Sequence, residues 1–179
     1  MKEITIIGNG KMALSLANGL KDTYNLEIIG RDIEKINAFE KKLGVEIKKG
    51  LLNNFNIDNK IIILAIKPNN LEEVSKLITG KAYILISVLA GIKKDELNRF
   101  YKYKWEVRGM PNISASIKKS LTIFNCNKKI KKEVEEILNT FGTSLYLEEE
   151  KMDISTAISG SGPAFLAKKS SRNHRPLGR

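Results

Sequence analysis

Gly8, Gly10 and Ala13 stand at the spacing G-x-G-x-x-A within Ile4-Thr5-Ile6-Ile7-Gly8-Asn9-Gly10-Lys11-Met12-Ala13. Three small residues so spaced suit a pyrophosphate. The first allows a tight turn, the second takes a Cβ out of the ligand's path, and the third lets helix and strand pack closely. The free N–H groups and dipole of a helix beginning at Lys11 and Met12 would favour the negative charge. This spacing has meaning only between a strand and a helix. Ile4 to Ile7 is an apolar, β-branched run that reads as a buried strand. Met12 to Leu20 carries apolar residues at helical spacing. Gly8, Gly10, Lys11, Met12 and Ala13 are therefore candidate nucleotide-binding residues. The alternative is a glycine turn between a core strand and a helix, without a ligand.

The end of the second strand selects among nucleotides. An acid about 20 residues past the first glycine would bind the ribose 2′-hydroxyl of NAD. Here Leu26-Glu27-Ile28-Ile29 ends at Gly30, followed by Arg31. A guanidinium can fork onto a 2′-phosphate and stack on adenine, which favours NADP, with NADPH preferred over NADH. Asp32 could serve as the acid or could cap the following helix. Arg31 could equally be a solvated surface arginine.

Other chemistries find few candidates. Cys126 is the only cysteine and His174, in a polar C-terminal stretch, the only histidine. Histidine-based metal sites, triads and acid–base pairs are not expected, and neither is an internal disulfide. No residue is assigned as a catalytic acid or base. The chain has 179 residues, 42% apolar, with a formal charge of +11. That balance raises nucleic acid as a partner. The lysines, however, sit beside glutamates on solvated helix faces, as in Glu40-Lys41-Lys42 and Lys131-Lys132-Glu133. The tail adds Lys168, Lys169, Arg172, Arg175 and Arg179 without an acid. The remaining positive field suits an anionic cofactor and substrate rather than nucleic acid. No run approaches the ~20 apolar residues of a membrane span. Met1-Lys2-Glu3 leads straight into a strand, so a cytoplasmic chain without a signal peptide is expected.

The elements that must hold these residues alternate. Helices are expected over Ile33 to Leu43, stopped by Gly44, over Leu71 to Ile78, over Lys93 to Tyr101, and around Val134 to Phe141. Strands are expected at Val45–Ile47, Lys60–Ile66, Tyr83–Val88, Trp105–Arg108, Leu121–Phe124 and Ser144–Leu147. Continuous apolar runs such as Ile61-Ile62-Ile63-Leu64 belong to strands buried on both faces. The fold class is α/β, a Rossmann-type, doubly wound, mostly parallel sheet.

Three more stretches carry a resemblance. They are Ile63-Leu64-Ala65-Ile66-Lys67-Pro68, Val107-Arg108-Gly109-Met110-Pro111-Asn112, and Met152 to Phe165 with its Ser159-Gly160-Ser161-Gly162-Pro163-Ala164. Together with the glycine turn, in this order, the chain from residue 3 to about 167 resembles pyrroline-5-carboxylate reductase. The resemblance implies hydride transfer from a nicotinamide to the C=N carbon of a cyclic imino acid, the last step of proline synthesis. It places Ala65, Lys67, Pro68, Ala90 and Asn112 near the nicotinamide and its ribose. It places the substrate carboxylate on Ser159, Gly160, Ser161 and Gly162, whose backbone N–H groups could form an anion nest before a helix. Read alone, Lys67-Pro68 and Met110-Pro111-Asn112 are ordinary turns, and Ser159 to Gly162 could be a linker. Arg108 could be a core-edge ion pair or a ligand.

The implied organisation is an NADP-binding domain over 1–150 and the start of a helical substrate and dimerisation domain over 151–167. Residues 168–179 have no apolar period and resemble nothing in the family. They are expected to be a disordered tail from a frameshift or misjoined frame, with the rest of the helical domain missing. A family member is expected to be a homo-oligomer, and this chain a doubtful one. The alternatives are a catalytically dead NADP-binding fragment, or another reductase sharing the first domain, such as one acting on deazaflavins.

Overall fold

Apolar residues fill the first strand, β1 (Glu3–Ile7), because both of its faces are covered. In the computed structural model, which describes residues 1–152, it leads into α1 (Lys11–Leu20). Ala13, Leu16, Ala17 and Leu20 line the buried stripe of α1 at helical spacing. The chain continues through β2 (Asn25–Gly30), α2 (Ile33–Leu43), β3 (Lys48–Leu51), β4 (Phe55–Asn56), β5 (Ile61–Leu64), α3 (Leu71–Ser75), β6 (Ile78–Thr79) and β7 (Ala82–Ser87). It then forms α4 (Lys94–Phe100), β8 (Tyr103–Met110), β9 (Ser120–Cys126), α5 (Lys131–Leu138) and β10 (Gly142–Tyr146).

Eight strands make one sheet in the order β10-β9-β8-β7-β5-β1-β2-β3, and β4 pairs β6 in a small second sheet. In the large sheet only β8 and β9 run antiparallel. The doubly wound, mostly parallel sheet is thus the one expected. Alternate residues of each strand feed two cores. Ile4, Ile6, Ile28, Ile63, Ile84 and Ile86 meet α1, α2 and α5 on one face. Ile7, Ile29, Ile62, Leu64 and Leu85 meet α3 and α4 on the other.

Sheet growth reverses at β1: β2 and β3 lie to one side, β5, β7 and β8 to the other. Such a switch point opens a crevice at the carboxyl ends of the strands. The register places Ile29, Ile7, Leu64, Ser87 and Arg108 in one row across the sheet. Gly8, Ala65, Val88 and Gly109 therefore follow on a common edge.

Three expected elements differ. The third strand is Lys48–Leu51, not Val45–Ile47. Gly44, at φ +73, turns the chain out of α2, and the Ile47 N–H is taken by Glu40 Oε1 at 3.1 Å, so 45–47 is still the turn. As an edge strand, β3 needs no apolar run, which hid it. The helix expected to reach Ile78 ends at Ser75, because Ile78–Thr79 pairs with Phe55–Asn56. The strand expected over Trp105–Arg108 extends from Tyr103 to Met110, taking in Gly109 and Met110.

Candidate functional site

The turn after β1 lies hard against the end of β5. Gly8 has φ +124, and its N–H donates to the Ile29 carbonyl at 2.9 Å. A Cβ there would lie 2.8 Å from the Ala65 carbonyl carbon, and closer still to its oxygen. Only glycine meets both demands. Gly10, the residue before α1, is the opposite case. Its backbone is extended, and a Cβ there would meet nothing within 4 Å. Gly8 is small for the protein's own sake; Gly10 leaves space in front of a helix start.

That helix start is well prepared for an anion. No side chain caps α1 and no acid stands in its first turn. Ala13 is fully buried against the sheet, so the first turn of α1 is held close to β1. A cleft of about 580 Å³ opens in front of it. Lys11, Arg31 and Lys67 are its charged lining residues, and no Asp or Glu lines it. Dinucleotide phosphates fit this arrangement by charge, by the clear space at Gly10 and by the N–H groups of the helix.

At the other wall, Gly30 is small because of packing. A Cβ would come within 3.2 Å of Asn9 Nδ2 and 3.3 Å of Ile36. A larger residue at the end of β2 would therefore need Asn9 and Ile36 to give way by a few tenths of an ångström. Asp32 is occupied as a helix cap: Oδ1 accepts the N–H groups of Glu34 and Lys35, and Oδ2 pairs with Lys35 Nζ at 3.3 Å. The Lys35 backbone N–H, then its ammonium, hold the Asp32 carboxyl below its ordinary value. Arg31 extends along the cleft and pairs with Glu73 of α3, Nη1 to Oε1 at 2.7 Å.

The candidate residues do not all meet in one place. Gly8, Gly10, Lys11, Met12, Arg31, Ala65 and Lys67 line the cleft, with Ala13 directly behind it. Pro68 opens the turn that precedes α3, just outside the lining. Ala90 and Asn112 follow β7 and β8, further along the same edge of the sheet. Asn112 caps the short turn over 113–117: its Oδ1 accepts the Ser114 N–H at 3.0 Å, and its own N–H donates to Ser120 Oγ at 3.2 Å. Arg108 is buried and forms an ion pair with Glu149, the structural alternative of the two raised for it. Ser159, Gly160, Ser161 and Gly162 lie outside the described residues, as do the 153–167 segment and the tail. Sequence reasoning missed Asn9, Leu52, Asn70, Val74 and Glu73. Asn9, between the two glycines, was the one with a signal. The others come from distant elements and look like ordinary core or surface positions.

Among the described residues no helix is long and apolar enough to cross a membrane. No group of three or more His, Cys, Asp or Glu side chains among them could hold a metal ion.

Known proteins resemble this chain along nearly its whole length. The family model described as NADP oxidoreductase, coenzyme F420-dependent, matches residues 3–91. Pyrroline-5-carboxylate reductase 2 of Bacillus subtilis is 33% identical over 93% of the chain and 64% of its own length. The pyrroline-5-carboxylate reductase of Helicobacter pylori is 32% identical over 93% of the chain and 68% of its own length. The crystal structure of 1-pyrroline-5-carboxylate reductase from Streptococcus pyogenes superposes with a TM-score of 0.79 at 30% identity, covering 97% of this chain and 71% of that one. This chain belongs to the pyrroline-5-carboxylate reductase family. It spans 64% of the length of the B. subtilis relative. The deazaflavin-linked alternative draws only on the first half of the chain, whereas the reductase relatives match it through the Met110-Pro111-Asn112 loop and beyond.

Proposed function

We propose that the cleft binds NADPH and that this chain serves the family's reaction, reduction of the C=N bond of 1-pyrroline-5-carboxylate to proline. The observation that carries the reading is a basic cleft without acids, at the switch point of a chain of this family. Bound NADPH would supply the hydride that reduces the imine carbon.

The chain's own residues do the positioning. The N–H groups of Lys11, Met12 and Ala13 hold the pyrophosphate, with Gly10 clearing its approach. Arg31 holds the 2′-phosphate, and Leu52 and Val74 flank the adenine. Ala65, Lys67, Pro68, Ala90 and Asn112 follow the edge of the sheet toward the nicotinamide. Ser159, Gly160, Ser161 and Gly162 hold the substrate carboxylate. The described residues lining the cleft supply no histidine and no acid for proton transfer; a protonated imine, or water, fits that lining. The small-molecule imino acid is the partner, in the cytoplasm and without nucleic acid; a homo-oligomer belongs to a full-length family member.

A second reading is NADPH binding without turnover by the 179-residue polypeptide. It draws on one observation: among the described residues, all those lining the cofactor cleft come before residue 75. Steady-state NADPH oxidation with pyrroline-5-carboxylate separates the two. Oxidation that depends on this imine supports the first reading, and NADPH binding without oxidation supports the second. Oxidation that requires a deazaflavin instead would overturn both.

A further inference from the structure

Arg31 does not stand alone at the mouth of the cleft. It follows β2 on one wall; Glu73 stands on α3, which with the preceding Asn70 forms the opposite wall through Val74. Their ion pair closes across 42 residues of sequence, at 2.7 Å, with the side chains 50% and 60% exposed. The other acids near these residues are engaged elsewhere. Asp32 caps α2 and pairs with Lys35, while Glu72 pairs with Lys76. Glu73 is thus the carboxylate that holds the arginine proposed to read the cofactor.

From this geometry we infer that Glu73 sets how strongly the site prefers a phosphorylated cofactor, by competing with the 2′-phosphate for Arg31. This rests on the reading that Arg31 meets that phosphate. The physical reason is simple. Arg31 is the shared counter-ion of two anions, one belonging to the protein and one to the ligand. A 2′-phosphate that forks onto the guanidinium must displace the carboxylate or lie one side chain away from it. The first costs the existing ion pair, and the second costs like-charge repulsion. NADH has a hydroxyl at that position and bears neither cost. Glu73 therefore narrows the preference for NADPH over NADH that Arg31 creates. The penalty is exposed to solvent, so salt screens it.

The test measures dissociation constants for NADPH and NADH with the wild-type chain, Glu73→Gln, Arg31→Ala and the double variant, at low and high salt. Both side chains are half exposed, so the variants should fold, which circular dichroism checks. Glu73→Gln is expected to tighten NADPH about three- to tenfold at low salt, the scale of two nearby charges in water. NADH should change by less than about twofold on the same scale. The gain should shrink at high salt and vanish in the Arg31→Ala background. Arg31→Ala that weakens NADPH, with Glu73→Gln having no effect, overturns the role of Glu73 and leaves that of Arg31 intact. So does Glu73→Gln weakening NADPH, which would make the carboxylate a positioning group for the arginine, or changing both cofactors equally. An NADPH-to-NADH ratio unchanged by Arg31→Ala overturns the reading of Arg31 itself.

Discussion

A β-carbon on Gly8 would lie 2.8 Å from the carbonyl carbon of Ala65, so the turn after the first strand and the end of the central strand are packed backbone to backbone. Gly10, two residues on, faces open space. The two glycines should therefore fail in different ways. Gly8→Ala forces both a collision and a left-handed φ of +124 on a side chain. It should cost at least about 1–3 kcal/mol of stability. Gly10→Val should stay within about 0.5 kcal/mol of the parent, as surface substitutions usually do. Urea denaturation of both variants checks this; equal losses would mean that the turn is not built as described.

Glu27 anchors the opposite end of the sheet. It is 3% exposed, accepts Thr5 Oγ1 at 2.6 Å and Lys60 Nζ at 2.8 Å, and pairs with Lys48 at 3.1 Å. Burial works against its charge, but the hydrogen bonds from Lys60, Thr5 and Lys48 outweigh burial and hold the carboxyl below its ordinary 4.5. The folded state thus favours the ionised acid. Its contribution is fully present above 4.5 and is lost as pH falls through the lowered folded value. Glu27→Gln should cost about 1–3 kcal/mol at neutral pH. The gap to the wild type should close in acid. A gap independent of pH would show that charge is not what Glu27 contributes.

Glu106 behaves in the opposite sense. Its side chain is 6% exposed, Oε1 has no hydrogen-bond partner, and burial raises its carboxyl above the ordinary 4.5 even with Lys94 nearby. A raised acid costs the fold stability once it ionises, from its unfolded value upward. Glu106→Gln should therefore raise the melting temperature at neutral pH, by the equivalent of about 1 kcal/mol. The advantage should disappear below 4.5, where both states hold the proton. A less stable variant at neutral pH would contradict the account.

What could be read from the sequence follows the physics of each signal. Strands buried on both faces, such as Ile61–Leu64, announce themselves by continuous apolar runs, and α2 by its Asp32 cap and Gly44 stop. The edge strand Lys48–Leu51 does not, since one side of an edge needs no apolar partner. The two-residue strand Ile78–Thr79 depends on Phe55–Asn56, a pairing that no local pattern encodes. The same split runs through the site. The glycine turn and Arg31 are local motifs and were legible. Leu52, Asn70 and Val74 line the cleft, and Glu73 meets Arg31 at its mouth, only because the chain after β3 and around α3 folds against it, and each looks unremarkable in sequence.

The central claim is that the cleft in front of Gly10 is a dinucleotide site. Equilibrium binding of NADPH to the wild-type chain and to Gly10→Val tests it most directly. The wild type should bind NADPH saturably. The variant should not bind, because its branched side chain fills the path of the pyrophosphate, while its far-ultraviolet circular dichroism matches the parent. Undiminished NADPH binding by a folded Gly10→Val chain, or none by the wild type, would contradict it.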